Sequence, residues 1–415
     1  MKIFHFFAIA AFLSLSLSLK AQDGSPSVYS FFGLGDATFK GSVESLSMGG
    51  VSSYTDSIHY NIQTPASLST LKYVHLNLGF ANNFINAADQ NDETWMSSHN
   101  ISYFSLALPV GNKIGLGMGL APVNSSGYQI YTKDDLGIYT FKGDGGNTRL
   151  FLAGAYQINK NFSAGLEYQY YFGYLTHENY WIPSGVITYT RENNTVDFSG
   201  STFKFSAMYH QGLPRNHFLN VTANYRLATR FEAGYQQIAR IVTFANGSEQ
   251  TVNTLEGADE TGEIDFPDAV ELGLGYGKKH QWYIGTDFQY SDLSDFKNPY
   301  FDPSYVRYNP SYTMRLGGTY TPRHNSVAKY YKRITYRAGA YYKNTGMNLY
   351  GEDITDFGIT FGIGLPAIRS ISNLNLGIEW GQRGKITSNL VKEQYINLHI
   401  GISLNDRWFI KRKIN

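Results

Sequence analysis

The feature of this chain that most constrains its fold is a strict alternation of apolar and polar residues. In the segment 393–404, EQYINLHIGISL, the even positions from Ile396 onward are Ile or Leu, whereas the odd positions are Glu, Tyr, Asn, His, Gly and Ser. A period of two places these two sets of side chains on opposite faces of an extended strand. The segment therefore predicts a β-strand with one apolar and one polar face.

The same alternation recurs along the chain and predicts about fourteen strands of about ten residues, the length and even count typical of a transmembrane barrel. A soluble β-sandwich also alternates, but its polar face would carry many more Lys and Glu than a chain with 16% charged residues can supply. We therefore expect an all-β fold, a transmembrane antiparallel β-barrel. The predicted strands are 74–84, 101–108, 114–123, 149–156, 162–174, 203–209, 219–226, 270–276, 282–290, 312–320, 334–343, 357–365, 373–381 and 393–404.

The connections between these strands alternate in length. Those after even-numbered strands are short, and those after odd-numbered strands are mostly long, such as 124–148 and 227–263. Short turns at one end and long loops at the other are the pattern of outer-membrane barrels, in which the short turns are periplasmic. The sequence therefore predicts a barrel of residues 73–404 in the outer membrane of a Gram-negative cell, followed by a periplasmic tail, 405–415.

The first 72 residues do not alternate. Residues 1–21 combine a basic start, a short apolar run and a small residue, which predicts a cleaved signal peptide rather than a membrane anchor. Residues 22–72 are rich in glycine but carry apolar residues such as Leu46, Met48 and Leu68. A solvated leader would be more polar, so we expect this segment to pack inside the barrel as a plug.

The third predicted strand contains the segment GLGMGLAPVNSSGY, 115–128. Parity turns Leu116, Met118 and Leu120 toward lipid and three glycines toward the lumen. Proline removes a ladder donor, so the ladder should part near the outer end of this strand. The segment predicts either a gate or simply the start of an outer loop; the gate residues are Gly115, Gly117, Gly119 and Pro122.

Ionisable residues with lumen parity predict a network that tethers the plug, because charges facing lipid cost about 2 to 4 kcal/mol at the midplane. We expect no enzymatic activity, because no serine and histidine lie at the same height on the lumen face of adjacent predicted strands. No cofactor or metal is expected, and a net charge of +1 gives no field for nucleic acid. The predicted lumen network is Arg149, Glu167, Glu271, Asp287, Arg315, Arg337, Glu379 and His399.

The stretch before the first strand resembles the amino-terminal plug of the FadL/OmpP1/TodX-like outer-membrane transport protein family. The resemblance rests on a glycine-rich stretch, an acidic step at Asp56 and a motif similar to Asn-Pro-Ala-x-Leu in which Thr64 replaces the asparagine. It implies a plugged barrel that imports long-chain fatty acids or aromatic hydrocarbons and releases them sideways near the third strand. The plug residues it implies are Met48, Gly49, Gly50, Asn61, Thr64, Pro65 and Ala66.

Two functions remain open on the sequence. One is passive uptake of a hydrophobic small molecule, with aromatic loop residues forming the ligand's point of access. The other is a non-conducting barrel that serves as a structural subunit of an outer-membrane secretion or assembly complex, with the same loops binding protein. The aromatic loop residues are Tyr128, Tyr131, Tyr139, Phe141, Tyr180 and Trp181.

Overall fold

The alternating segments form one closed antiparallel barrel in the computed structural model. The structure describes residues 24–407 except 246, 256, 297–302, 327–328, 368–371 and 388–389, so the expected signal peptide and most of the expected tail lie outside the described residues. Fourteen strands of the described chain pair around the wall, and the last pairs with the first from Val74↔Asp406 to Ala88↔Lys392. Closure pairs the edge of the first wall strand with the edge of the last. The predicted all-β barrel of about fourteen strands is confirmed.

Six further strands of the described chain lie outside the wall: β1 (Asp36–Ala37), β5 (Gln129–Lys133), β10 (Thr229–Ala245), β11 (Ser248–Thr254), β12 (Asp259–Phe266) and β15 (Val306–Tyr308). No helix in the described parts of the chain is long and apolar enough to cross a membrane. The only described α-helix, α1, is Val43–Leu46, and 3-10 helices lie at Val28–Phe31, Pro65–Thr70, Pro214–Asn216 and Tyr330–Lys332. The strands are β1 (Asp36–Ala37), β2 (Val74–Ala88), β3 (Glu93–Val110), β4 (Ile114–Ser126), β5 (Gln129–Lys133), β6 (Gly137–Gln157), β7 (Phe162–Pro183), β8 (Thr188–Leu213), β9 (His217–Arg226), β10 (Thr229–Ala245), β11 (Ser248–Thr254), β12 (Asp259–Phe266), β13 (Ala269–Lys278), β14 (Trp282–Ser291), β15 (Val306–Tyr308), β16 (Ser311–Tyr320), β17 (Thr335–Leu349), β18 (Glu352–Pro366), β19 (Asn373–Arg383) and β20 (Lys392–Asp406).

The outer surface of the wall is apolar where the alternation is strict. Leu116, Met118 and Leu120 of β4 are 46%, 44% and 42% exposed, whereas the glycines between them are buried. Leu272 and Leu274 of β13 behave in the same way. An apolar band of this extent is the lipid-facing surface of a membrane barrel. The predicted orientation of these side chains is confirmed.

Three neighbouring wall strands are much longer than the sequence predicted, which gave them the bounds 149–156, 162–174 and 203–209. β6, β7 and β8 have 21, 22 and 26 residues. A span of about ten tilted residues crosses the hydrocarbon layer, so their remaining halves stand beyond it at the long-loop end. These halves were missed because residues such as 188–195, TYTRENNT, are polar on both faces and show no alternation of apolar with polar residues.

The N-terminal segment, residues 24–72, contacts inward-facing side chains on opposite sides of the barrel. The Ala66 amide donates to Ser206 Oγ on β8 over 3.1 Å, and the Gly49 amide donates to Thr360 Oγ1 on β18 over 2.8 Å. Tyr60, Ile62 and Leu68 are at most 1% exposed and share a buried cluster with wall residues. The apolar residues of this segment are thus covered by the barrel wall.

Candidate functional site

The candidate site is the point where strands β3 and β4 separate. Their ladder runs from Val110↔Ile114 to Phe104↔Leu120 and ends there, two residues before Pro122. β3 continues along β2 for eleven more residues, as far as Glu93↔Ala88, and no strand of the described chain pairs with its other side there. β4 instead continues along β6, with a register shift between Pro122 and Asn124. The outer half of the wall therefore contains a gap between neighbouring strands.

The edge of β4 that β3 leaves is occupied by the N-terminal segment. β1 pairs with β4 in the registers Asp36↔Ser125 and Ala37↔Asn124. The Thr38 amide extends this ladder by donating to the Val123 carbonyl oxygen over 2.8 Å. The N-terminal segment thus satisfies backbone groups of β4 that β3 leaves unpaired, which places it beside the gap.

Two of the three predicted gate glycines make room for the N-terminal segment. A Cβ on Gly115 would lie 2.1 Å from the Leu68 carbonyl oxygen, and one on Gly117 would lie 3.1 Å from the Leu68 side chain. Gly119 has a different neighbour, because a Cβ there would lie 2.3 Å from the Phe104 carbonyl oxygen of β3. Gly119 therefore permits the last close contact of β3 with β4 before the strands part.

The motif before the first strand forms a compact turn. Asn61 Nδ2 donates to the Ser52 and Tyr54 carbonyl oxygens over 2.6 and 2.9 Å, and Thr64 Oγ1 donates to the same Ser52 oxygen over 3.0 Å. Asn61 and Thr64 therefore both fix the backbone of this turn. Pro65 and Ala66 then start a 3-10 helix that packs on the wall, with the Ala66 backbone against Gly165.

Met48, Gly49 and Gly50 meet the opposite wall. Cβ atoms on Gly317 and Gly339, on neighbouring strands β16 and β17, would lie 1.9 and 2.2 Å from the Met48 backbone. Gly49 has φ +70° and Gly50 has φ +85°, a backbone conformation that side chains disfavour. Glycine is therefore required on both sides of this contact.

The predicted lumen residues form several separate groups. Arg315 donates to Glu271 Oε1 over 3.0 Å, and Asp287 accepts from Ser53 Oγ of the N-terminal segment over 2.8 Å. Arg149 and Glu167 approach to 3.6 Å. Glu379 accepts from Tyr341, Asn397 and His399, and Arg337 donates to Asn375, whose amide donates to Glu44 of the N-terminal segment. Only some of these residues therefore act as direct tethers.

Arg383 is the cation with the most carboxylate neighbours among the described residues; it is partly buried, and the sequence analysis did not identify it. Arg383 lies 2.8 Å from Asp36, 3.4 Å from Asp356 and 3.7 Å from Glu393. Ser27 of the N-terminal segment donates to Glu393 over 2.8 Å. Arg383 has the same parity as Glu379 on β19, and Glu393 has the same parity as Tyr395 on β20. Extending the predicted strand 373–381 by two residues would have placed Arg383 in the lumen beside Glu393. This group holds β1 in place.

A cavity of about 470 Å³ lies between the N-terminal segment and the wall. Asn100 and Ser102 of β3 and Asn124 and Ser125 of β4 line it, so it reaches both edges of the gap. The rest of its lining includes seven basic side chains, Lys40, Arg149, Lys204, Arg226, Arg315, Lys343 and Arg383, and five acidic ones, Asp36, Glu271, Asp356, Glu379 and Glu393.

The aromatic loop residues do not form one groove. Tyr128 is only 1% exposed, contrary to the expectation of an exposed cluster, because its ring packs on Phe31 and its hydroxyl bonds His177 Nδ1 at 2.7 Å. Phe141 also contacts Phe31. Tyr139 stacks on Trp181, Tyr180 donates to Glu178, and Tyr131 is 61% exposed. These residues therefore lie in at least two environments.

The N-terminal segment carries a charge pair that depends on pH. His59 Nδ1 lies 2.7 Å from Asp56 Oδ2, and His59 Nε2 lies 2.8 Å from Asn373 of β19. Burial alone would lower the pKa of His59, but Asp56 and Glu44 raise it above 6.5 despite Arg337. Burial opposes the ionised form of Asp56 as well, yet His59 lowers its pKa below 3.8.

We expect docking of the N-terminal segment to be strongest between about pH 4 and 6.5, the ordinary pKa values of the two groups. The contribution of His59 is lost as the pH rises through its raised pKa, and that of Asp56 is lost as the pH falls through its lowered pKa. Protease cleavage after Lys72 in detergent-solubilised protein measures docking. His59→Gln should remove the loss at high pH, and an unchanged pH profile in that variant would contradict the assignment.

Solved structures with the same architecture include two toluene transporters and a FadL homologue. The toluene transporter TodX of Pseudomonas putida superposes with a TM-score of 0.61 at 16% identity, over 91% of this chain and all of TodX. The toluene transporter TbuX of Ralstonia pickettii gives 0.56 at 12% identity, over 88% and 98%. A FadL homologue of Pseudomonas aeruginosa gives 0.56 at 11% identity, over 93% and 100%. These likenesses establish a FadL-like barrel fold.

Comparison with curated protein sequences gives no match. A family model described as BamG, in contrast, matches residues 3–415, which is nearly the whole chain. The chain belongs to the BamG family.

Proposed function

We propose that this protein is an outer-membrane channel for passive uptake of hydrophobic small molecules. Its N-terminal segment acts as the plug, and the ligand leaves sideways through the gap between β3 and β4. The observation that carries the proposal is the end of the β3–β4 ladder at Phe104↔Leu120, beside a cavity whose lining includes both strand edges. We also propose that the protein is exported by means of a cleaved signal peptide and that it catalyses no reaction.

The structural likenesses support this proposal. Two of the similar barrels are described as toluene transporters, and they share the fold over nearly their whole length. An apolar ligand that leaves through the wall reaches lipid directly without crossing the aqueous lumen below the plug. The gap opens to the same face that carries Leu116, Met118 and Leu120, which is apolar.

The charges around the cavity favour a ligand with an acidic group, such as a long-chain fatty acid, over a neutral hydrocarbon. Lys40 and Arg226 both lie over the Phe266 ring, at 6.0 and 4.1 Å, and Lys204 is the cross-strand partner of Arg226. Burial, followed by the positive charges of Arg226 and Arg149, lowers the pKa of Lys40 well below its usual value. A bound carboxylate would offset this repulsion.

The double substitution Lys40→Met and Lys204→Met tests the ligand class. We expect it to weaken binding of a fluorescent long-chain fatty acid about tenfold or more, because each charged hydrogen bond to a carboxylate contributes roughly 1.5–3 kcal/mol. Binding of a neutral alkylbenzene should change little. Titration of the purified barrel with both probes gives the two dissociation constants.

Lys113→Met with Lys160→Met is the matched control, because both lysines are exposed in short turns away from the cavity lining. Equal loss of both ligands in the Lys40 and Lys204 variant would contradict an acidic ligand. Unchanged cellular uptake of fatty acid and alkylbenzene after deletion of the gene would remove the uptake proposal itself.

A second candidate is a structural subunit of an outer-membrane complex. Exposed apolar residues at the tips of the long hairpins favour it: Leu136 is 69%, Ile187 is 87% and Phe244 is 68% exposed. Apolar residues at the tips of such loops are better explained by a partner protein than by folding. Copurification in mild detergent separates the two candidates, since a stoichiometric partner protein favours the subunit and an isolated barrel favours the channel.

A further inference from the structure

The short-turn end of the barrel carries basic residues and no acidic ones in its connections. In the described parts of 111–113, 158–161, 214–216, 279–281, 321–334 and 367–372 there is no Asp or Glu. The chain as a whole has 34 basic and 33 acidic side chains, so this asymmetry does not follow from composition. The eight basic residues in the described connections are Lys113, Lys160, Arg215, Lys279, Arg323, Lys329, Lys332 and Arg333.

Six of these eight residues lie in three adjacent turns. The Lys279 amide donates to the Asn216 carbonyl oxygen over 2.9 Å, which joins the β8–β9 turn to the β13–β14 turn. The Thr321 amide donates to the Gln281 carbonyl oxygen over 2.6 Å, and the rings of His280 and His324 stack at 4.5 Å, which joins the β13–β14 turn to the β16–β17 loop. We call these turns the basic cluster: Arg215, Lys279, Arg323, Lys329, Lys332 and Arg333.

The basic cluster has no anionic partner within the described chain. None of its six side chains belongs to an ion pair found among the described residues. Arg333 Nε is buried without a hydrogen-bond partner there, although the guanidinium lies over the Tyr330 ring. Burial, followed by His324 and Lys279, lowers the pKa of His280, as expected in a positive field.

A row of aromatic side chains crosses the wall directly beside this cluster. Trp282, Tyr320 and Tyr336 are register partners on the neighbouring strands β14, β16 and β17. Tyr320 and Tyr336 are 55% and 39% exposed on the outer face. Aromatic belts of this kind mark the level of the lipid headgroups. The unpaired cations of the cluster therefore lie at the height of the headgroup layer.

We propose that the basic cluster binds the phosphate groups of anionic glycerophospholipids in the periplasmic leaflet. The anions present at this height are lipid phosphates, and clusters of four to eight Lys and Arg beside a membrane-spanning segment recognise anionic headgroups. The row of Trp282, Tyr320 and Tyr336 would hold the acyl chains next to the cations. A soluble acidic protein fits this site less well, because its interface would have to include the aromatic row, which faces lipid.

Trp282 provides a local reporter of this binding. The full-length mature protein is reconstituted into phosphatidylcholine vesicles in a variant that keeps only this tryptophan (Trp95→Phe, Trp181→Phe, Trp380→Phe, Trp408→Phe). Brominated phosphatidylglycerol, added as a minor component, should partition next to Trp282 at least about fivefold better than brominated phosphatidylcholine, the preference that one well-placed basic side chain confers. High salt should reduce this preference.

Neutralising the whole cluster with Arg215→Gln, Lys279→Gln, Arg323→Gln, Lys329→Gln, Lys332→Gln and Arg333→Gln should bring the preference close to one. Lys113→Gln with Lys160→Gln, at the same end but outside the cluster, should leave it unchanged. Heat-modifiable gel migration verifies that each variant is folded. Three outcomes would each overturn the proposal: equal quenching by both lipids, an unchanged preference in the neutralised variant, or binding of an acidic protein without any lipid preference. These measurements do not depend on whether the protein takes up a ligand.

Discussion

Joining the N-terminal segment to β4 through a disulfide is expected to abolish uptake, and reduction is expected to restore it. Ala37 and Asn124 are register partners in the β1–β4 ladder. Antiparallel partners have Cα atoms about 4.5–5.5 Å apart, within the range that a disulfide requires. Ala37→Cys with Asn124→Cys would therefore fix the N-terminal segment beside the gap through which we propose that the ligand leaves. Uptake of labelled fatty acid by cells, measured before and after reduction, gives the result.

The chain has no cysteine, so this pair would be the only thiols present. The matched control is Ala207→Cys with Ala223→Cys, a register pair on the intact wall between β8 and β9. This second disulfide should leave uptake unchanged. Full uptake with an oxidised Ala37→Cys, Asn124→Cys pair would show that the N-terminal segment does not need to leave β4.

Replacing Arg383 with methionine is expected to release the start of the N-terminal segment. The change leaves Asp36, Asp356 and Glu393 buried around a site without its cation, and removing one partner of a buried ion pair costs about 3–5 kcal/mol. Because Asp36 belongs to β1, detachment of residues 24–40 would return this carboxylate to water at a lower free-energy cost than opening of the barrel. Limited proteolysis should cut this segment much faster, and single-channel recordings should show a larger conductance.

Arg230→Met is the control for charge removal. Arg230 also contacts two carboxylates, Glu263 and Asp265, but its side chain is 70% exposed. Exposed pairs contribute only about 0–1 kcal/mol, so proteolysis and conductance should stay as in the parent protein. Unfolding of the whole barrel in Arg383→Met, rather than release of one segment, would contradict the assignment of Arg383 to docking.

Alternation alone was enough to identify the wall strands. With lipid outside the barrel and polar groups inside it, apolar side chains of a strand must face outward and polar ones inward. Leu116, Met118 and Leu120 face outward as their parity predicts. The pairing partners within the N-terminal segment could not be obtained in this way, because that segment has no period. The contact of Ser52 and Ser53 with Asp287 joins residues more than 230 positions apart and depends on how the segment turns inside the barrel.

The composition of a single strand also cannot reveal where neighbouring strands separate. Gly119 and Pro122 indicate a weak ladder, but only the structure shows that the ladder ends at Phe104↔Leu120 and that β1 occupies the edge of β4 beyond this pair. The basic cluster is a similar case. Its cations come from three turns whose first and last members, Arg215 and Arg333, are more than 100 residues apart, and only pairing of the sheet places them side by side.

The sequence by itself determined the barrel, its strand count and the side of each strand that faces lipid. These properties follow from a local period of two, which the membrane enforces residue by residue. The tertiary structure alone decided how residues 24–72 pack, where β3 and β4 separate and which charges meet. These properties depend on contacts between residues far apart in the chain, such as Arg383 with Asp36, and no local pattern encodes them.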